Sequence, residues 1–351
     1  MAEERNDGLL SDGQDAVMVY IDPGVIQSMA DVSAKKKRGF QELLEAAEEG
    51  DLDAQHRVAM AYCNGTDGAQ RDENLAFQWF TKAAEGDYIA SQYGLGLCYI
   101  RGIGTEKDPE RGARLLAQAA EQGYPPAQSE LGLCYELGTG VEKDLAKAVD
   151  LYRQAAEAGS VQAQCNLGFC YYRAIGVEED NEEAVKWFAK AAGAGQPRAR
   201  QLLGECYENG YGVEQSDRKA VELYTLAHQG KHADGTCSLG ECYAAGRGVE
   251  RDEARAASLY AEAARQGSAR GAYLLGSCYE QGLGVDRDPD KARELYRESA
   301  GKKYKRAQEA LERLAARPAQ DGPKARKAPA PQGKPAEPKG RRGFRWPFGK
   351  K

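Results

Sequence analysis

The sequence predicts an all-α protein, a right-handed α-solenoid of about seven 36-residue helix–turn–helix repeats closed by capping helices. Three observations predict it. A tyrosine recurs at Tyr62, Tyr99, Tyr135, Tyr171, Tyr207, Tyr243 and Tyr279, first after 37 residues and then after 36. The last six copies carry a cysteine directly before it (Cys98, Cys134, Cys170, Cys206, Cys242, Cys278) and a glycine three residues before it (Gly96, Gly132, Gly168, Gly204, Gly240, Gly276). Downstream of every copy, one position holds Asp72, Asp108, Asp144, Asp180, Ser216, Asp252 or Asp288. A register kept this long marks stacked supersecondary units that bury a core only together.

The elements follow in chain order. Phe40–Glu49, with Leu43, Leu44, Ala46 and Ala47, reads as a lone second helix that caps the start of the array. Within a repeat, Ala127, Leu131 and Tyr135 fall four apart and stack on one face of a first helix. Gly138 and Gly140 then break that helix, because glycine accepts the left-handed backbone of a helix end. Asp144 and its equivalents read as N-caps, whose side-chain oxygen accepts an orphan backbone N–H; Ser216 does the same, which argues against a calcium-binding carboxylate ladder. Pro109 and Pro289 follow two of these caps at the first helical position, where proline is tolerated. Ala148, Leu151, Tyr152, Ala155 and Ala156 form the apolar stripe of the second helix, which ends at Gly159. Gly132, inside a first helix, costs roughly 1 kcal/mol against alanine, and the expected return is a close approach of the Ala155–Ala156 pair. Ala307–Leu314 reads as a lone first helix, so the array is expected to be complete in this chain.

The pattern LGxCYxxGxGVexD followed by A…Y..AAexG, as in Leu131–Gly159, resembles the Sel-one-like repeat family, a relative of the tetratricopeptide repeat, over roughly residues 35–316. The resemblance implies an α-solenoid of helix pairs that acts as an adaptor for other proteins. Departures are small. The first repeat has one extra loop residue and lacks the Leu–Gly pair, and the fourth has Ala174 in place of the first glycine of the turn.

Composition and motifs point away from chemistry. No apolar run is long enough to span a membrane, and the N-terminus lacks a charged-then-apolar signal sequence, so the expectation is a cytoplasmic location, either free or peripheral to a membrane. The repeat cysteines lie on helices expected roughly 8–10 Å apart, beyond the Cα separation of about 7 Å that a disulfide allows. They read as small buried hydrophobes. His228 and His232 have metal-ligand spacing, but Gly230 between them places them across a turn. No nucleotide-binding or nucleophile motif appears. No enzyme activity, cofactor, metal or small-molecule substrate is expected.

Turning 100° per residue from the repeat tyrosine places the positions nine, six and two before it, and one and two after it, on the face opposite the core. Solenoids use such a concave face for binding. The second to fourth repeats put apolar, aromatic and arginine residues there, whereas the fifth to seventh are richer in glutamate, with Glu205, Glu208, Glu241 and Glu280. Exposed apolar patches mark binding sites, and aromatic and arginine anchors dominate interface energetics. The candidate partner groove therefore comprises Tyr93, Leu97, Ile100, Arg101, Leu133, Leu137, Phe169, Tyr172 and Arg173, with Arg101 and Arg173 pairing with an acidic group of a protein or peptide partner. The competing reading is that curvature buries these residues between adjacent first helices.

The two ends differ in kind. Residues 1–34 read as disordered. Residues 317–351 carry a charge of +9 in a chain of net −6, which leaves −15 on residues 1–316. Rich in proline and glycine, they cannot form a core. Arg341, Arg342, Phe344, Arg345, Trp346 and Phe348 mix cations with aromatic rings near the end. Three readings compete for this tail: an anionic membrane surface, a fold-back onto the acidic later groove or a docked partner, and nucleic acid through phosphates and stacking. The function expected is a protein-interaction scaffold, with the tail holding it at a membrane as a second element. The alternative is a nucleic-acid-associated protein that uses the basic tail, although the acidic body argues against the solenoid itself binding nucleic acid.

Overall fold

Lys36 and residues 38–316 are described by a computed structural model, and among them every regular element is a helix. The expectations for residues 1–34 and 317–351 lie outside the described residues. A short helix α1 (38–48) precedes seven helix pairs. These are α2 (Leu52–Asn64) with α3 (Glu73–Glu85), α4 (Ile89–Arg101) with α5 (Pro109–Glu121), and α6 (Pro125–Leu137) with α7 (Leu145–Glu157). They continue as α8 (Val161–Arg173) with α9 (Asn181–Gly193), α10 (Pro197–Asn209) with α11 (Asp217–Gln229), and α12 (Ala233–Ala245) with α13 (Glu253–Arg265). The last pair is α14 (Ala269–Gln281) with α15 (Pro289–Gly301), followed by α16 (Lys305–Ala316). Each helix packs on its chain neighbours, so the core is a row of linked clusters and not a single centre.

The two ends of each pair are set by the residues that the sequence singles out. Asp72, Asp108, Asp144, Asp180, Ser216, Asp252 and Asp288 each cap a second helix by accepting the N–H three residues on. Each first helix ends in a left-handed residue: Gly65, Gly102, Gly138, Ala174, Gly210, Gly246 or Gly282. The second glycine of the turn has a different task. A Cβ on Gly140 would lie 2.0 Å from the Pro109 carbonyl oxygen, and one on Gly212 would lie 2.2 Å from that of Asn181. Each turn therefore rests on the first residue of the preceding repeat's second helix, and this contact sets the step between repeats.

The glycine inside each first helix is explained otherwise than by the paired alanines. Its neighbour is the large side chain at the middle of the second helix. A Cβ on Gly132 would come 2.8 Å from the Tyr152 ring and 3.1 Å from the Ala148 carbonyl oxygen. Gly168, Gly204, Gly240 and Gly276 face Phe188, Tyr224, Tyr260 and Tyr296 in the same way, and Gly96 faces Leu116. The missing methyl makes room for a ring, and Tyr152, Tyr224 and Phe188 are fully buried.

Both capping helices form. Phe40 of α1 meets Tyr62 edge-on at 5.4 Å, and Ala307 and Ala310 of α16 are buried against the last pair. The repeat cysteines are buried as small apolar groups, and burial pushes the Cys98, Cys170, Cys206 and Cys242 thiols up to about 12.

Candidate binding surface

The first helices α10, α12 and α14 touch one another directly, a closer approach than any successive pair of second helices makes. They therefore line the inner side of the curve in the later repeats. Direct packing between first helices changes the expected exposure of their face. The position six before the tyrosine is no open surface. Ser129, Cys165, Gln201 and Cys237 are buried there, while His56, Tyr93 and Tyr273 keep part of their area. Rotation about one isolated helix puts these side chains opposite the core, but the neighbouring first helix covers them.

In the second to seventh repeats the positions two before and one after the tyrosine are half-buried, and the position two after it is exposed. Among the candidate groove residues, Tyr93, Leu97, Ile100, Leu133, Phe169 and Tyr172 are half-buried, while Arg101, Leu137 and Arg173 are exposed. Leu137 leaves 63% of its area in solvent. Tyr93 meets the Tyr124 ring at 5.6 Å, and Ile100 packs over Gly112. Tyr172 meets Phe188 at 6.2 Å and Tyr211 at 6.0 Å, and the Arg198 guanidinium lies 4.9 Å over the Phe169 ring. Tyr93 and Phe169 thus reach the next repeat, whereas Ile100 packs on the second helix of its own repeat and Tyr172 does both, and each keeps part of its area open. Arg101 is held by a 2.8 Å ion pair to Glu130 of the next first helix.

The glutamates one after the tyrosine have an internal partner. Glu136 accepts the Tyr152 hydroxyl at 2.8 Å, Glu208 accepts that of Tyr224 at 2.8 Å, and Glu280 accepts that of Tyr296 at 2.9 Å. Where the second helix offers Leu116 or Phe188, the same position holds Ile100 or Tyr172. A buried hydroxyl requires a hydrogen-bond partner, and the two residues change together in every repeat from the second to the seventh except the sixth, where Ala244 meets Tyr260. This pairing was legible as a correlation between repeats, but only once the two positions were known to face each other.

Sequence reasoning did not single out a cleft in repeats five to seven. It has a volume of about 500 Å³ and is lined by Gln201 and Glu205 of α10, Asp234 of α12, Gln266, Ser268, Arg270 of α14, and Tyr304. Arg270 reaches back to Glu241 of α12 at 2.5 Å, and Glu208 pairs with Arg247. Gln201 donates to Glu205 at 2.6 Å. Burial pushes the Glu205 carboxyl up to about 7, against the pull of Arg270. Burial also raises Glu241. A half-buried cluster with more carboxylates than cations results, open to solvent.

The two histidines sit apart in role. His228 ends α11 and meets the Thr236 hydroxyl at 3.2 Å, while His232 caps α12 by accepting the Gly235 N–H on Nδ1 at 3.1 Å. Among the described residues no His, Cys, Asp and Glu group is arranged to hold a metal, and no helix is long and apolar enough to cross a membrane. The tail contacts Arg341, Arg342, Phe344, Arg345, Trp346 and Phe348 lie outside the described residues.

Comparison with known proteins agrees with this geometry. The Sel1 repeat model matches seven times, over residues 52–88, 89–124, 125–160, 161–196, 197–229, 233–268 and 269–304. Among solved structures, the chain is similar to c5321, a protective antigen of uropathogenic Escherichia coli strains displaying an SLR fold, at 34% identity and a TM-score of 0.62. That match covers 78% of this chain and 59% of the antigen, so the chain spans little more than half the antigen's length. A Sel1 repeat protein from Oxalobacter formigenes matches at 30% identity and a TM-score of 0.64, over 70% of this chain and 96% of its own. No curated protein matches the chain.

Proposed function

The chain belongs to the Sel1 repeat family, and on that premise we propose that it is a non-enzymatic scaffold that holds a protein or peptide partner on its first-helix face at repeats two to four. Sel1 repeat proteins generally mediate protein–protein interactions. The observation that carries the reading is the change of character along one structural row. In repeats two to four the half-buried positions hold Leu97, Ile100, Leu133, Phe169 and Tyr172, with Glu136 the one acid and bound to the Tyr152 hydroxyl, and they are bordered by the exposed Leu137, Arg101 and Arg173. In the later repeats the same positions hold Glu205, Glu208, Glu241, Ala244, Ser277 and Glu280. Half-buried apolar side chains on a rigid frame lose little entropy when a partner covers them, and they supply interface area at low ordering cost. Arg173 stands ready for an acidic group, and Arg101 is oriented by Glu130.

Phe169 and Tyr172 also pack inward, so the probes of binding are the exposed residues. Leu137→Asp with Arg173→Glu in the full chain is expected to lower partner capture at least tenfold while the thermal midpoint stays unchanged. Undiminished capture by this variant would count against the site. Attachment to an anionic membrane and contact with nucleic acid both rest on the composition of residues 317–351, and no observation among the described residues favours either.

A further inference from the structure

The cleft in repeats five to seven holds two carboxylates, Glu205 and Asp234, that share no ion pair with a cation among the described residues, whereas their neighbours Glu208 and Glu241 have Arg247 and Arg270. We propose that this cleft is a binding site for a basic, aromatic peptide, and that its resident occupant is the chain's own segment 341–351, RRGFRWPFGKK. This inference does not rest on the partner reading of repeats two to four, whose surface residues its test leaves untouched.

Four lines support the assignment. The first is chemical fit. A guanidinium presents a planar set of donors that matches a carboxylate, and the pairing strengthens where water is excluded. Arg341 and Arg342 give one guanidinium for each free carboxylate, and Phe344 and Trp346 give rings to lie against Tyr304 at the cleft wall. The second is shape. The cleft of about 500 Å³ is open to solvent, so an extended segment can lay a few side chains into it while the rest of its length stays outside. The third is charge. Segment 341–351 has five cations and no acid, and it faces a body of −15.

The fourth is reach. Tyr304 lines the cleft, and α16 begins at the next residue. Its 12 residues carry the chain about 18 Å away, at 1.5 Å per residue, to Ala316. Residues 317–340 are 24 residues and can bridge up to about 80 Å. The segment therefore returns to the cleft without strain, and tethering raises its effective concentration into the millimolar range. Groups from three helices act on Glu205, namely Glu208 on α10, Asp234 and Glu241 on α12, and Arg270 on α14. A cation that binds beside Glu205 favours its ionised form, so capture strengthens as pH rises through about 7, and it weakens with salt.

The test titrates a fluorescein-labelled peptide of residues 341–351 into full-length protein. The full chain carrying Arg341→Glu, Arg342→Glu and Arg345→Glu is expected to bind the peptide at least tenfold more tightly than the unaltered chain, because its own segment no longer competes. Adding Glu205→Gln and Asp234→Asn to that chain is expected to weaken binding at least tenfold. Asp234→Asn alone, at an exposed position, repeats the comparison if the double substitution lowers the melting midpoint. Equal affinity for the first two chains, or indifference to the cleft substitutions, overturns the proposal. So does equal affinity combined with co-sedimentation of the unaltered chain on phosphatidylserine vesicles, which would assign the segment to a membrane.

Discussion

At the scale of single residues, the repeats act as controls on one another. Three pairs match a buried tyrosine hydroxyl with a glutamate, and the sixth repeat breaks the rule by setting Ala244 opposite Tyr260. A half-open crevice of about 150 Å³ lies beside Ala244 and Tyr260. Ala244→Glu is expected to supply the acceptor and raise stability by about 1.5 kcal/mol, the low end for a hydrogen bond to a charged group; a lower urea midpoint for the variant would contradict this. His232 offers a second control. Burial holds its imidazole below the ordinary 6.5, and the neutral Nδ1 caps α12. As pH falls through 6.5 the unfolded chain takes up a proton that the folded ring still refuses, so this contribution is present above 6.5 and fades below it. His232→Asn keeps a cap without a titration. Between pH 7.5 and 5.5 its urea midpoint should fall less than that of the unaltered chain, and parallel slopes would remove His232 from the account.

At the scale of the element, two glycine positions in one turn carry different loads. The first only needs a left-handed backbone, and Ala174 supplies it at φ 53°. Alanine in that region costs on the order of 1 kcal/mol, so Ala174→Gly should stabilise the fourth repeat by roughly that amount. The second needs space as well. Gly212→Ala would drive a methyl against the Asn181 carbonyl and should cost more than about 2 kcal/mol. Chemical denaturation of the two variants measures both signs, and equal effects would contradict the division of labour. Caps, turns and helix pairs were legible because each depends on residues close in sequence and recurs seven times. The role of the helical glycine was not, because the ring it admits sits 20 residues away at Tyr152 and the alanines lie only a turn further on. The burial of Cys165 and Cys237 was equally hidden, since it depends on how closely successive first helices stack.

At the scale of the whole molecule, stacking turns a local repeat into a long graded surface. Because each repeat touches only its neighbours, the core fixes some positions identically and leaves others free to differ from one end to the other. The exposed position two after the tyrosine and the half-buried position two before it use that freedom, whereas the position directly after the tyrosine follows the second-helix side chain it meets, glutamate against tyrosine in three repeats and an apolar residue against Leu116 or Phe188. The change in composition could be read from the sequence, but not the cleft, because its walls come from α10, α12, α14 and Tyr304, and Gln201 and Tyr304 lie 103 residues apart. The face of repeats two to four is the central claim, and capture of partners from a lysate of the source cells tests it most directly. Three baits suffice: the full chain, a chain ending at Ala316, and the full chain with Leu137→Asp and Arg173→Glu. The account predicts the same partner on the first two baits and its loss from the third, with melting midpoints unchanged. A partner that leaves with the tail and stays on the third bait would contradict it, and would make residues 317–351 the recognition element.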